Sequence, residues 1–369
     1  MRILVRLLVL VATAVAALAA VVPAQAAGDA QAVFVQTNDP LGNAIDAFTR
    51  GAGGTLAFSA SYPTGGLGGR ETGAGSDPLA SQGSLHLVSG AHLLLAVNAG
   101  SNTISVFQVD GARLTLTQVL SSGGLFPTGI GVAGNLVYVL DAGGPGAVAG
   151  YRIAGGRLHP IAGSTRTLGL PNANTPFFLS SPAEVGFTAD GAHLVVTTTT
   201  NSTVDVFAVG PDGRLSAAPV ANPAAGVPFA FVFDGAGRMV LNFAATSSLQ
   251  VFTVNADGTI TADGAPAGDG RAAACWISPA AGFDYVSNTA SGDVSQFQVS
   301  GATVTVANPI AAAGVGGAID SVAVGSFLYV QAGHEGTVHV YSIGAGGTLS
   351  PVQVVAVPDG GSQEGIAAG

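Results

Sequence analysis

The sequence predicts an all-β chain folded as a seven-bladed β-propeller of four-stranded antiparallel blades, on three observations. One unit recurs seven times, an aromatic residue marks its period, and no stretch carries the 3.6-residue apolar repeat of a long helix. The unit is an apolar strand, a short polar turn, a strand closed by an aromatic, a glycine turn and a further strand. The closing aromatics are Phe48, Phe107, Tyr151, Phe207, Phe252, Phe297 and Tyr341, with gaps of 59, 44, 56, 45, 45 and 44 residues. Four gaps agree within one residue and two carry insertions. A single such unit has two apolar faces to bury and can bury them only against neighbours, which a radial array supplies.

Taken in order, the repeats fall near 32–59, 84–118, 127–161, 182–218, 228–262, 273–306 and 319–352. The first copy starts at Ala32 with no inner strand before it. The tail at 362–368, with Gln363-Glu364-Gly365-Ile366-Ala367-Ala368, has the pattern of the inner strands Thr128–Val132 and Ala183–Phe187. It is expected to supply the missing strand, closing the ring through chain-end pairing and removing an exposed edge. Turns such as Asp-Gly and Gly-Gly separate the strands.

Both insertions, Ala60–Gly83 and Ala162–Ser180, precede an inner strand. Consecutive strands of a meander reverse, so these insertions should share one face with the turns at Asn98-Ala99-Gly100 and Asp141-Ala142-Gly143. Function is expected on that face, around the channel mouth. Within the first insertion, Gly65–Gly73 looks like a phosphate-cradling loop, but no helix follows it, and the sequence reads as a flexible insertion.

Composition narrows the chemistry. All 11 basic residues are arginine, which excludes Schiff-base, P-loop and Ser-x-x-Lys chemistry. A net charge of -10 argues against a nucleic-acid partner. The lone Cys275 allows no internal disulfide and reads as buried and inert.

Residues 1–26 have the form of a secretory signal: Arg2 and Arg6, an apolar run from Leu7 to Val22, and Ala24-Gln25-Ala26 at the cleavage position. The apolar run is shorter than the ~20 residues of a bilayer crossing. Export would leave 27–369 as one secreted, extracellular domain without a transmembrane segment, expected to be a monomer. Its charge would be 9 basic against 21 acidic residues, or -12.

The repeats resemble the seven-bladed lactonase propellers, the family of 6-phosphogluconolactonase and carboxymuconate-lactonizing enzymes. The likeness is carried by Val97-Asn98-Ala99-Gly100-Ser101-Asn102-Thr103-Ile104-Ser105-Val106-Phe107, by Pro211–Ser216, by Tyr285–Asn288 and by Glu364–Ala367. An exported bacterial branch is closer still, through Ser81-Gln82-Gly83-Ser84-Leu85 and Cys275-Trp276. The resemblance implies lactone hydrolysis by His, Arg and Glu around the channel, and here the pattern departs. Where the family has Pro-His and Pro-Arg-His, this chain has Pro127-Thr128 and Pro182-Ala183-Glu184. Thr198-Thr199 and Asn242-Phe243-Ala244 replace the expected Asn-Glu and Asn-Arg-Gly. No arginine remains there to hold a phosphate.

Surviving catalysis would need a base and an oxyanion partner. Glu184 and Glu364, at matching blade positions, could approach each other across the channel, and His86 is a further candidate base. Asn98, Asp141, Asn242, Trp276, Asn288, His334 and Glu335 are candidate binding residues. No metal site or cofactor is expected, with structural calcium at Asp39, Asp77 or Asp141 as an alternative. The losses favour a binding or scaffold module meeting a lactone, a carbohydrate or a cell-wall or extracellular protein surface. Hydrolysis of an uncharged or weakly charged lactone is the alternative.

Overall fold

The computed structural model describes residues 31–369, so the expected leader at 1–26 lies outside the described residues. Seven sheets are arranged as the repeats require. Blade one holds Ala32–Gln36, Ala44–Arg50 and Leu56–Pro63, and Ile366–Ala368 joins it as the inner strand. The closure is antiparallel, with Val33 opposite Ala368, Phe34 opposite Ala367 and Val35 opposite Ile366. The other inner strands are Leu85–Val88, Pro127–Ala133, Pro182–Phe187, Pro228–Phe233, Ala274–Ala280 and Ala318–Val324. Among the described residues there is no α-helix, and none is long and apolar enough to cross a membrane.

Stacking explains why the second strands read as unbroken apolar runs. Leu93–Asn98, Leu136–Asp141 and His193–Thr198 are buried at every position, because a blade is covered on both faces. The outermost strands, such as Leu349–Ala356, are partly exposed throughout. The core therefore lies between blades: Leu93, Leu95 and Val97 of blade two pack with Ile130, Val137 and Val139 of blade three. Each such aliphatic side chain contributes roughly 1.5–3 kcal/mol on burial. All seven closing aromatics are buried, none more than 8% exposed.

The first insertion is pinned, contrary to the flexible segment expected from its glycines. The Asn38 side chain donates to the Gly69 carbonyl (2.7 Å) and accepts the Gly69 N–H (2.9 Å). Gly100 N–H donates to the Leu67 carbonyl at 3.1 Å. Glycine is required at Gly68, where a Cβ would stand 2.1 Å from the carbonyl of Asn38. The second insertion reaches the same face: Asn172 donates to the Ala142 carbonyl, and Gly144 N–H to that of Ala173.

Beyond Asp77 the first insertion turns into the ring. Ala80 takes a left-handed φ of 46°, and Ser81-Gln82-Gly83 then lies across the axis. Gln82 N–H donates to Ala183 of blade four, and Ile130 N–H of blade three donates to Gly83. The Ser81 hydroxyl donates to Thr128 at 2.8 Å. From blade six, Trp276 Nε1 donates to the Ser81 carbonyl (2.9 Å) and Ile277 N–H to Gln82 Oε1 (3.0 Å). The Ser-Gln-Gly motif is a plug that laces three blades together.

Candidate functional site

The plug separates two hollows. On the insertion face a cavity of about 450 Å³ lies over blades four to six. Phe178 and Leu179 of the second insertion, Phe229, Trp276, Val227 and Ala244–Ala245 make it chiefly apolar. None of its lining residues is basic, and its ionisable groups are Asp77 and Cys275. Backbone strain gathers at its wall. Ala80, Val227 and Ala273 have φ of 46°, 64° and 57°, a region costly for any Cβ and most of all for a β-branched valine.

Asp77 is held by its own loop, its Oδ1 accepting the N–H groups of Leu79 (3.1 Å) and Ala80 (2.7 Å). Behind it stands Glu364, fully buried, with neither carboxyl oxygen receiving an N–H or hydroxyl donor. The polar group facing it is the Asp77 carboxyl. Burial and the neighbouring carboxyl both oppose ionisation of the two groups together. Burial, then the Asp77 charge, pushes Glu364 well above the usual carboxylate range, while burial raises Asp77 to about 6. Glu71, buried and accepting the Ser181 hydroxyl, is also raised by burial, and its charge and that of Asp320 bear on Glu364. Burial pushes the Cys275 thiol up as well, with Asp77 adding to the effect.

The second hollow, about 270 Å³, lies in the far half of the channel and is lined by Gln82, His86, Glu184, Asp320 and Ile366. This is where the structure places His86 and Glu184, not on the insertion face. Glu184 Oε2 accepts the Phe231 N–H and Oε1 accepts from Gln82 Nε2 at 3.4 Å. Its charged neighbour is Asp320, whereas the partner of Glu364 is Asp77. The two glutamates therefore do not form the pair their matching positions suggested. Desolvation lowers His86 to about 4, so it is neutral at physiological pH.

The other sequence candidates are mostly engaged in the blades. Asn98 donates to Thr103 and Ser105 and accepts from Asn43, all within 3.1 Å. Asn288 likewise donates to Asp293 and Ser295. Asp141 and Asn242 are fully buried at the corresponding strand ends, with burial raising Asp141 to about 7. Glu335 accepts from Gly316 N–H and pairs with His339 at 2.8 Å on the rim of blade seven, beside exposed His334. Trp276 alone reaches the cavity, while packing edge-to-face on Phe229 at 5.2 Å. Among the described residues no three His, Cys, Asp or Glu side chains converge as a metal site. Asp77 entered the sequence reading only as a possible calcium ligand and Glu71 not as a site residue, because both lie in the insertion, outside any repeat.

No family model matches the sequence, and no curated protein matches it. Solved structures do. The periplasmic gluconolactonase of Pseudomonas aeruginosa superposes with a TM-score of 0.70 at 17% identity, over 91% of this chain and 98% of that one. A candidate 6-phosphogluconolactonase from Bacteroides uniformis gives 0.66 at 17% identity, over 90% and 98%. A streptogramin B lyase gives 0.52 at 11% identity, over 75% and 82%. At these identities the likeness shows the fold, which serves more than one chemistry.

Proposed function

We propose that this chain is a lactonase-type propeller acting as a binding module for a mainly apolar small molecule carrying at most one charge. The observation that carries this is the 450 Å³ cavity on the insertion face, apolar and without a basic residue. Its lining offers no side-chain cation to hold a sugar phosphate or stabilise an oxyanion. The fold shared with gluconolactonases supports lactonase ancestry, and residues 1–26 support export to the extracellular space, where a carbohydrate or wall surface is a further partner. The test is acid release from a lactone panel together with titration of the fluorescence of Trp276, the sole tryptophan. Saturable quenching without turnover is expected; turnover above background overturns the binding assignment.

Lactone hydrolysis is the second reading, favoured by the neighbouring Asp77 and Glu364 carboxyls: ionised Asp77 would take a proton from the attacking water and then give it to the leaving alkoxide. In that case Asp77→Asn abolishes turnover while Glu184→Ala leaves it largely intact.

A further inference from the structure

We propose that the cavity's preferred ligand is a hydrophobic organic cation, an aryl- or alkyl-amine whose ammonium group meets Asp77. This rests on the assignment of the cavity as the ligand site and deepens it. Three features converge. The one fixed charge available on the wall is a carboxylate, and its Oδ1 is saturated by two backbone N–H groups, leaving Oδ2 to a ligand and to Glu364. Phe178, Phe229 and Trp276 supply aromatic surfaces, which attract a cation as well as an apolar body. Behind the wall Glu364 is fully buried with Asp77 as its polar neighbour, and no fixed cation enters from the cavity side. The nearest guanidinium, Arg70, is exposed and turned to the carbonyls of Ala74, Gly75 and Gly361.

A neutral alcohol of the same shape would fill the cavity and donate one hydrogen bond but supply no counter-charge, so it should bind more weakly than the amine. A carboxylic acid would add a like charge. The groups bearing on Asp77 are Glu364, Glu71, Asp320, Cys275 and Arg70, all acidic or neutral except the last. Asp77 must be ionised to hold the cation, so affinity is full above pH 7 and declines as pH falls through about 6.

The test uses 3-phenylpropylamine, 3-phenylpropanol and 3-phenylpropanoate, titrated against Trp276 fluorescence at pH 7.5 and checked by calorimetry. The amine should bind at least tenfold more tightly than the alcohol, and the acid most weakly. Asp77→Asn should bring amine and alcohol within about twofold of each other, chiefly by weakening the amine. Should that variant fail to fold, the pH profile of the wild-type chain replaces it: amine affinity falls below pH 6 and alcohol affinity does not. Equal binding of amine and alcohol overturns the cation while leaving the cavity assignment standing. Failure of all three probes to bind overturns both.

Discussion

Gln82→Ala tests whether the plug is part of what holds the ring together. The Gln82 side chain receives the buried Ile277 N–H at 3.0 Å, and its 3.4 Å approach to Glu184 is too long to contribute much. Removing the amide orphans the Ile277 N–H, at about 1–3 kcal/mol. With an unfolding entropy of roughly 2.1 cal/mol/K per residue, the 339 described residues give about 0.7 kcal/mol/K. Tm should therefore drop by about 1.5–4 °C, read by circular dichroism or calorimetry at fixed pH. Gln82→Met separates bond from volume: it restores most of the side chain and none of the acceptor, so it should melt with the alanine variant. A Tm within half a degree of wild type for both would refute the reasoning, and rescue by methionine alone would assign the effect to packing.

Stability should fall as pH rises from 5 to 8. Nine carboxyls have raised values through burial: Asp46, Glu71, Asp77, Asp141, Glu184, Asp205, Asp284, Asp320 and Glu364. A raised acid binds its proton more tightly folded than unfolded, so its stabilisation is complete below the unfolded value and is lost as pH passes the folded one. Asp320 alone, moved from 3.8 to about 7, corresponds to roughly 4 kcal/mol. His86, lowered to about 4, acts oppositely between pH 4 and 6.5, but it is one group against nine. Melting curves across this range check the sign. Gly68→Ala should destabilise by about 1–3 kcal/mol, seen as a lower Tm, because its Cβ meets backbone that cannot yield. Cys275 should resist Ellman's reagent in the folded chain and react fully in denaturant, since it is 8% exposed and its thiol is pushed up.

The blades were legible because period and pattern are set by packing that repeats. Phe107 and Phe297 occupy equivalent slots, and the tail at Ile366–Ala368 matches the inner strands because it must fit the same channel wall. The site obeys no such repetition. Asp77 and Glu71 come from a segment with no counterpart in other blades, and its hold on Asn38 and Trp276 depends on contacts far apart in sequence. Glu184 and Glu364 looked equivalent by their motifs, yet Glu184 lies within the strand Pro182–Phe187, just past a bulge that the inner strands of blades three, five, six and seven share, whereas Glu364 precedes its strand Ile366–Ala368. Glu184 is committed to Phe231 N–H in blade five, while Glu364 faces the insertion. Alternation fixes which way a strand residue points only where the ladder is regular.

The lacing of Ser81-Gln82-Gly83 across the axis also decides traffic. An open propeller is a tube, and a tube lets a molecule arrive at one end and depart from the other. Here the tube has a bulkhead, so whatever settles beside Trp276 must leave by the opening through which it came. Its way out then passes Phe178 and Leu179, and the hollow around His86 lies on the other side of the bulkhead.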